Sequence, residues 1–239
     1  MSFQNSIFLI SGLNRDLFDK KQQMVIVSEY DLPDIQLMHE ETNKFLLWIP
    51  EKTYIILGAS NKAEDAVVES LAVRDNIPVM KRRTGGQTVM LTPNNLIISA
   101  VITDESVMKP KDVFNNFNDM IIGAIEKDRF EKFSTRGISD IALGEKKIMG
   151  SSMYRGKGKL FYHAVLNFNE PPSTFQKYLK HPSKEPDYRK GRNHDEFVTT
   201  LKDTGYKPSM QHLKNEITAS LRNVLINHEV VENIVEEVV

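Results

Sequence analysis

Leu96 to Ile102 reads Leu-Ile-Ile-Ser-Ala-Val-Ile, an almost wholly apolar run. Such a run predicts a strand buried on both faces, so layers must cover the sheet on either side. Other segments fit that frame. Phe45 to Ile49 and Tyr54 to Leu57 read as strands joined by a turn at Glu51 and Lys52. From Lys159 to Asn167, Leu160, Tyr162, Ala164 and Leu166 alternate with Phe161, His163, Val165 and Asn167, the period of a strand.

Helices are expected at Asp34 to Asn43, Lys62 to Arg74, Thr174 to Leu179, and through Met210, Leu213, Ile217, Leu221 and Leu225. The clearest runs from Lys111 to Lys127, where Val113, Phe114, Phe117, Ile121 and Ala124 form one packing stripe. Further strands are expected at Ser6 to Ser11, Met24 to Ser28 and Phe130 to Phe133. Strands first interleaved with helices and then followed by them predict an α/β (α+β) domain, mixed sheets flanked by helices. The chain is long enough for one large domain over residues 1–239.

Lys81 to Val89, KRRTGGQTV, concentrates two glycines, three cations and a run of hydrogen-bonding side chains on one turn. The glycines are expected in a loop between an apolar run ending at Met80 and another beginning at Leu96. Glycine lets the backbone approach a ligand, and Arg82 and Arg83 beside free N–H groups suit a carboxylate or phosphate. A Gly-Gly hairpin with solvated arginines is the alternative at this stage. Asn61 has two readings as well, a ligand-side loop residue or the N-cap of the following helix. His163 in an apolar strand is read as a positioning residue. Pro182 to Gly191 is a polar, basic loop of the kind that covers a site or meets a partner, and Tyr188, Arg189, Arg192 and His194 there are either anion contacts or solvated.

A second stretch, Gly137 to Ser152 (GISDIALGEKKIMGSS), is followed by YHAVL at Tyr162 to Leu166. Together with the glycine loop it makes the chain resemble the lipoate-protein ligase A family of the biotin/lipoate ligase superfamily from about Asp34 to Asn169. Thr84, Gly85 and Gly86 match the family's loop; Asp140, Lys147, Ile148, Gly150 and His163 match its later motifs in the same order. The resemblance implies a class II biotin/lipoate ligase-like catalytic domain that activates lipoate, or a similar medium-chain acid, with ATP. The acyl-adenylate is then passed to a lysine of a lipoyl carrier domain of the 2-oxoacid dehydrogenase E2 or glycine cleavage H protein type. Lys147 is implied as the catalytic cation. Arg82, Arg83, Thr84, Gly85, Gly86, Gln87, Thr88, Asp140, Gly150, Ser151 and His163 are implied at the ligand and adenylate, with Asp140 a partner for Mg²⁺ or for Lys147. An apolar channel beside the glycine loop is expected, walled by Trp48, Val89 and Ile98.

Departures from the family pattern are Gln87 for the third glycine, Thr88 for alanine, Leu91 for histidine, Thr92 for aspartate and Ser139 for asparagine. They keep open a second expectation, a catalytically weak homologue that binds lipoate or a lipoyl domain as a subunit. The octanoyltransferase branch works through a cysteine thioester, and the chain has no cysteine. That also excludes disulfides and zinc-thiolate sites. Lys plus Arg number 31 against 32 Asp plus Glu, which argues against nucleic acid as the main partner. No segment approaches a membrane span, and a cytoplasmic protein is expected. The family's small C-terminal accessory domain is not expected within the chain, so a separate small accessory subunit is.

Overall fold

The computed structural model describes residues 24–103, 109–126, 132–156 and 158–226. The expected strand at Ser6 to Ser11, the first residues of that at Phe130 to Phe133 and the last residue of the helix ending at Lys127 lie outside them. In chain order the strands are β1 (Val27–Glu29), β2 (Lys44–Trp48), β3 (Tyr54–Leu57), β4 (Val79–Lys81), β5 (Val89–Leu91), β6 (Asn95–Ile102), β7 (Phe133–Arg136), β8 (Asp140–Leu143), β9 (Lys146–Gly156) and β10 (Lys159–Asn167). The helices are α1 (Ala63–Ala66), α2 (Glu69–Arg74), α3 (Pro110–Glu126), α4 (Pro172–Tyr178), α5 (His194–Phe197) and α6 (Met210–Ile226).

The strands form an antiparallel six-stranded sheet, β2-β6-β10-β9-β8-β7, and a mixed four-stranded sheet, β1-β4-β3-β5. Alternation along β6 and β10 divides their side chains between two layers. Leu96, Ile98 and Ala100, with Leu160, Tyr162, Ala164 and Leu166, pack on Val113, Phe117 and Ile121 of α3 and on Leu213, Ile217 and Leu221 of α6. The Phe117 ring stacks on Tyr162 at 4.1 Å. On the opposite face Ile97 packs with Trp48 of β2 and with Ile56 and Leu91 of the smaller sheet. The outer face of that sheet buries Ile55, Leu57 and Val79 against Ala72 of α2 and Phe175 and Tyr178 of α4. β6 is thus covered on both sides, as its composition predicts.

That layering corrects one expectation. Ile98 faces α3 and cannot share a wall with Trp48 and Val89; its neighbour Ile97 does. The expected helix at Asp34 to Asn43 is a 3₁₀ turn, Pro33–His39, ended by extended backbone at Glu40. The one expected at Lys62 to Arg74 breaks between α1 and α2. There Val67 bridges to Leu179, Val68 N–H donates to the Tyr178 carbonyl and Lys180 N–H to that of Ala66. Paired β-branched residues favour the extended backbone that this short ladder needs. β5 begins at Val89, earlier than the Leu96 boundary, so the glycine loop spans only the gap from β4 to β5.

Candidate active site

The glycine loop is seated on the turn after β3. A Cβ on Gly58 would stand 2.0 Å from the carbonyl oxygen of Gly86, so only glycine admits the loop there. Gly86 itself has φ +90. Asn61 Oδ1 accepts from Gly58 N–H and from the Thr88 hydroxyl, both at 3.1 Å, and Ala59 N–H donates to the Thr84 carbonyl. Asn61 therefore ties the turn to the loop. The residue at the α1 N-cap is Lys62, without a side-chain cap.

Arg82 is turned inward. Its Nη1 donates to the Ile56 carbonyl at 3.2 Å, and Nη2 to those of Gly85 and Gln87 at 2.8 Å each. Burial lowers its pKa to about 10, against which Tyr30 acts weakly. Its Nη groups brace the loop, its buried Nε has no partner, and Arg83 stands exposed. Gly85 is exposed, and Gln87 and Thr88 are half-buried on the loop's outer side.

Thr84 points the other way, to β10. Its hydroxyl lies 3.0 Å from His163 Nε2, and Ser152 Oγ of β9 lies 2.5 Å from the same nitrogen. Desolvation, with Arg82 second, holds His163 down to about 3, so the ring is neutral and serves as a hydrogen-bonding strut between loop and sheet. Ser151 and Ser139 exchange side-chain-to-carbonyl hydrogen bonds at 3.0 and 2.9 Å, tying β9 to the turn before Asp140.

Lys147 and Gly150 lie three residues apart, a spacing that regular alternation would place on opposite faces. A bulge changes this: Ile141 pairs with Met149, but Ala142 pairs with Lys147, leaving Ile148 as the extra residue. Ile148 and Met149 both enter the large core. Lys147 then shares the inner face with Gly150, and a Cβ on Gly150 would meet Lys147 Nζ at 2.5 Å. Nζ pairs with Asp140 Oδ1 at 2.7 Å, and Asp140 Oδ2 accepts from the Tyr188 hydroxyl at 2.9 Å. Thr199 N–H caps the Lys147 carbonyl at 2.9 Å, within a parallel bridge from Lys147 to Val198. Sequence reasoning found Lys147 and Asp140 but not this support. Tyr188 stood only in a polar cluster, and backbone pairing to Thr199 leaves no compositional trace.

Each Asp140 oxygen thus has one partner and keeps a further lone pair. Among the described residues no three His, Asp or Glu side chains converge as a metal site. A cavity of about 240 Å³ lies outside the loop, lined by Asn61, Lys62, Gln87, Thr88, His181 and His194 among others. Desolvation, then Arg189 and His181, lower His194 to about 4, and Lys147 is among the lesser charges acting on it.

The register sets a line across the inner face. Asp140 pairs with Gly150, Gly150 with Val165, Val165 with Ile97 and Ile97 with Trp48. Three strand steps from Gly150 to Trp48 span about 14 Å. Val165, Leu46, Met80 and Val89 along this apolar row are partly buried, Ile97 and Trp48 are buried, and Lys147 lies beside Gly150 at one end.

Residues 34–222 match the model of the lipoyl protein ligase A/B catalytic domain. Lipoate–protein ligase 1 of Staphylococcus aureus is 29% identical over 140 residues, covering 59% of this chain and 42% of that protein. The inactive lipoate–protein ligase 2 of Plasmodium falciparum is 22% identical over 223 residues, 74% of this chain and 57% of that protein. The chain thus spans about half the length of these curated relatives, 42% and 57%. Among solved structures, a bi-partite lipoate protein ligase from Thermoplasma acidophilum, described with its E2 lipoyl domain, superposes with a TM-score of 0.70 at 19% identity, covering 90% of this chain and 88% of that one. A lipoate-protein ligase A bound with ATP gives 0.68 at 20% identity, covering 90% of each chain. The fold is that of the biotin/lipoate ligase catalytic domains.

Proposed function

We propose, from the premise that this chain belongs to the lipoyl protein ligase A/B catalytic-domain family, that it activates lipoate with ATP and transfers the acyl group to a lysine of a lipoyl carrier domain. The observation that carries the reading is the apolar row Val165–Ile97–Trp48 leading away from Gly150, with the Lys147 ammonium beside that glycine. A carboxylate on a medium-length apolar tail is what such a site complements. Its charged end meets Lys147 and its tail lies between the sheets. ATP enters from the cavity beside Gln87 and Thr88, and the ATP-bound neighbour supports a nucleotide as co-substrate.

In the first step a carboxylate oxygen attacks the α-phosphorus, a P–O bond forms and the bond to pyrophosphate breaks. Lys147 favours this by meeting the charge gathered on the acyl and phosphate oxygens, and Asp140 and Tyr188 hold its Nζ in place. In the second step the acceptor amine attacks the acyl carbon, the C–O bond to AMP breaks and the amine sheds a proton. Thr84 and His163 keep the loop against the sheet throughout. Mg²⁺ would screen the phosphates when bound, with Asp140 the carboxylate that would hold it. The Thermoplasma acidophilum neighbour supports an E2-type lipoyl domain as acceptor and, being bi-partite, a separate accessory subunit.

The test is lipoate-dependent exchange of labelled pyrophosphate into ATP by the purified chain, paired with calorimetric titration of lipoate alone. Exchange is expected. Binding without exchange would favour a second reading, a lipoate-binding subunit without ligase activity. Gln87 at the third glycine position and the inward Arg82 support that second reading, as does the inactive Plasmodium falciparum relative. Neither exchange nor binding would overturn both.

A further inference from the structure

The regular ladder gives out near Lys147. β9 pairs with β10 only as far as Met149 opposite Leu166, so Ile148 and Lys147 lie beyond the last β10 partner. On that side the chain returns later: Val198 makes a parallel bridge to Lys147, and Thr199 N–H donates to the Lys147 carbonyl at 2.9 Å. On the other side the β8 register shifts between Ile141 and Ala142. The backbone that presents the lysine is thus bulged on one side and held on the other by an amide from a distant segment.

Asn167, the last residue of β10, holds that segment and is 4% exposed. Its Nδ2 donates to the carbonyls of Thr199 at 3.2 Å and Glu170 at 3.0 Å. Its Oδ1 accepts from Glu170 N–H at 2.9 Å and from Asn95 Nδ2 at 3.3 Å. Two donors and two acceptor sites are all that a side-chain amide has, so none is left for a ligand. The partners also dictate an amide at this position. Two carbonyls require donors, and a carboxylate of the same shape would set its oxygens against both. The main chain adds to the grip, with Leu201 N–H donating to the Asn167 carbonyl at 2.8 Å and Lys202 N–H to that of Phe168 at 3.0 Å. Thr199 is therefore held at both backbone groups, its carbonyl by Asn167 and its N–H by Lys147.

We infer that Asn167 is a positioning residue for Lys147: through Thr199 it fixes the β9 backbone from which the ammonium is presented, without touching substrate itself. The inference rests on the reading of Lys147 as the cation that meets the developing charge. A small displacement of such a group weakens its hold on the transition state more than on bound substrate, so the loss belongs in kcat.

Pyrophosphate exchange and melting curves of the full chain test this. Asn167→Asp is expected to lower kcat by about tenfold while KM for lipoate and for ATP stays within about twofold. Asn167→Ser, smaller and uncharged, is measured beside it in case the carboxylate prevents folding. Thr199→Pro removes the N–H and should give a similar fall; combined with Asn167→Asp it should fall no further than the worse single variant, because both act through one contact. Asn94→Ala takes a different bond from the same cluster, that of Asn94 Nδ2 to Glu170 Oε2 at 3.0 Å, and should lower the melting temperature with kcat unchanged. Unchanged kcat in a folded Asn167 variant, or an equal fall in Asn94→Ala, would overturn the positioning role while leaving the ligase reading intact. So would independent losses that multiply in the double variant, or unfolding of both Asn167 variants, which would make the residue a fold element. Absence of exchange in wild type would instead remove the ligase reading and the inference together.

Discussion

Lys147 carries a compact charge on a flexible stem, and its surroundings decide where that charge rests. Lys147→Ala is expected to cut pyrophosphate exchange by about 100- to 1000-fold, the usual cost of losing one stabiliser of developing negative charge. Lys146→Ala should be nearly silent, since that residue is exposed. Gly150→Ala tests position instead of charge: the added Cβ would displace Nζ and Cε from 2.5 and 2.7 Å, contacts with the far end of a flexible side chain. Exchange should fall steeply while the melting temperature barely moves. Tyr188→Phe frees Asp140 Oδ2 and is expected to lower kcat by about tenfold with a smaller change in KM, the mark of a positioning residue. Of these groups, Lys147, Gly150 and Asp140 were legible because the motif order names them. Tyr188 was not, because its partner lies 48 positions away. Arg82 was legible as a residue, but its hydrogen bonds to the Gly85 and Gln87 carbonyls were not, since sequence cannot tell an outward guanidinium from one folded onto its own loop.

At the scale of elements, legibility followed periodicity. β6, β10, α3 and α6 carry clear patterns because whole layers bury their faces, and their expected spans agree with the structure to within a few residues. β9 has no such pattern: Lys-Lys-Ile-Met-Gly-Ser-Ser mixes charged, apolar and small residues, and the bulge at Ile148 breaks the alternation that would announce a strand. The same irregularity orients the site. Deleting Ile148 should leave Lys147 two residues from Gly150, on the same inner face by regular alternation, at the cost of one buried core side chain. Pyrophosphate exchange is expected to persist while the melting temperature falls; loss of exchange in a variant with wild-type circular dichroism would show that the bulge itself aims the lysine. Helix 62–74 was misread because Val67 and Val68 answer to a distant partner, the Leu179 bridge, instead of to local propensity.

Across the whole molecule, two sheets face each other with helices outside, and the seam between them is where stability and site chemistry meet. His163 and His194 are held neutral by burial, at about 3 and about 4. The unfolded chain binds their protons near pH 6.5 and the folded chain only near those lower values. Stability is therefore complete above about pH 6.5 and declines as pH falls towards 4 and 3. Melting temperature measured from pH 7.5 to 4 should drop, and His163→Gln should flatten part of that drop. The layered frame was legible from one apolar strand, while the buried hydrogen bond from Ser99 to Asp34 was not, because its partners lie 65 positions apart. One further connection joins the outer loop to this frame: Thr199 N–H is bonded to the carbonyl of Lys147 itself. That single amide is a built-in gauge. Its hydrogen-exchange rate reads whether the β9 backbone under Lys147 is held by the outer loop, so mass spectrometry of the peptide spanning Thr199 should show slower exchange wherever ligand binding tightens that contact.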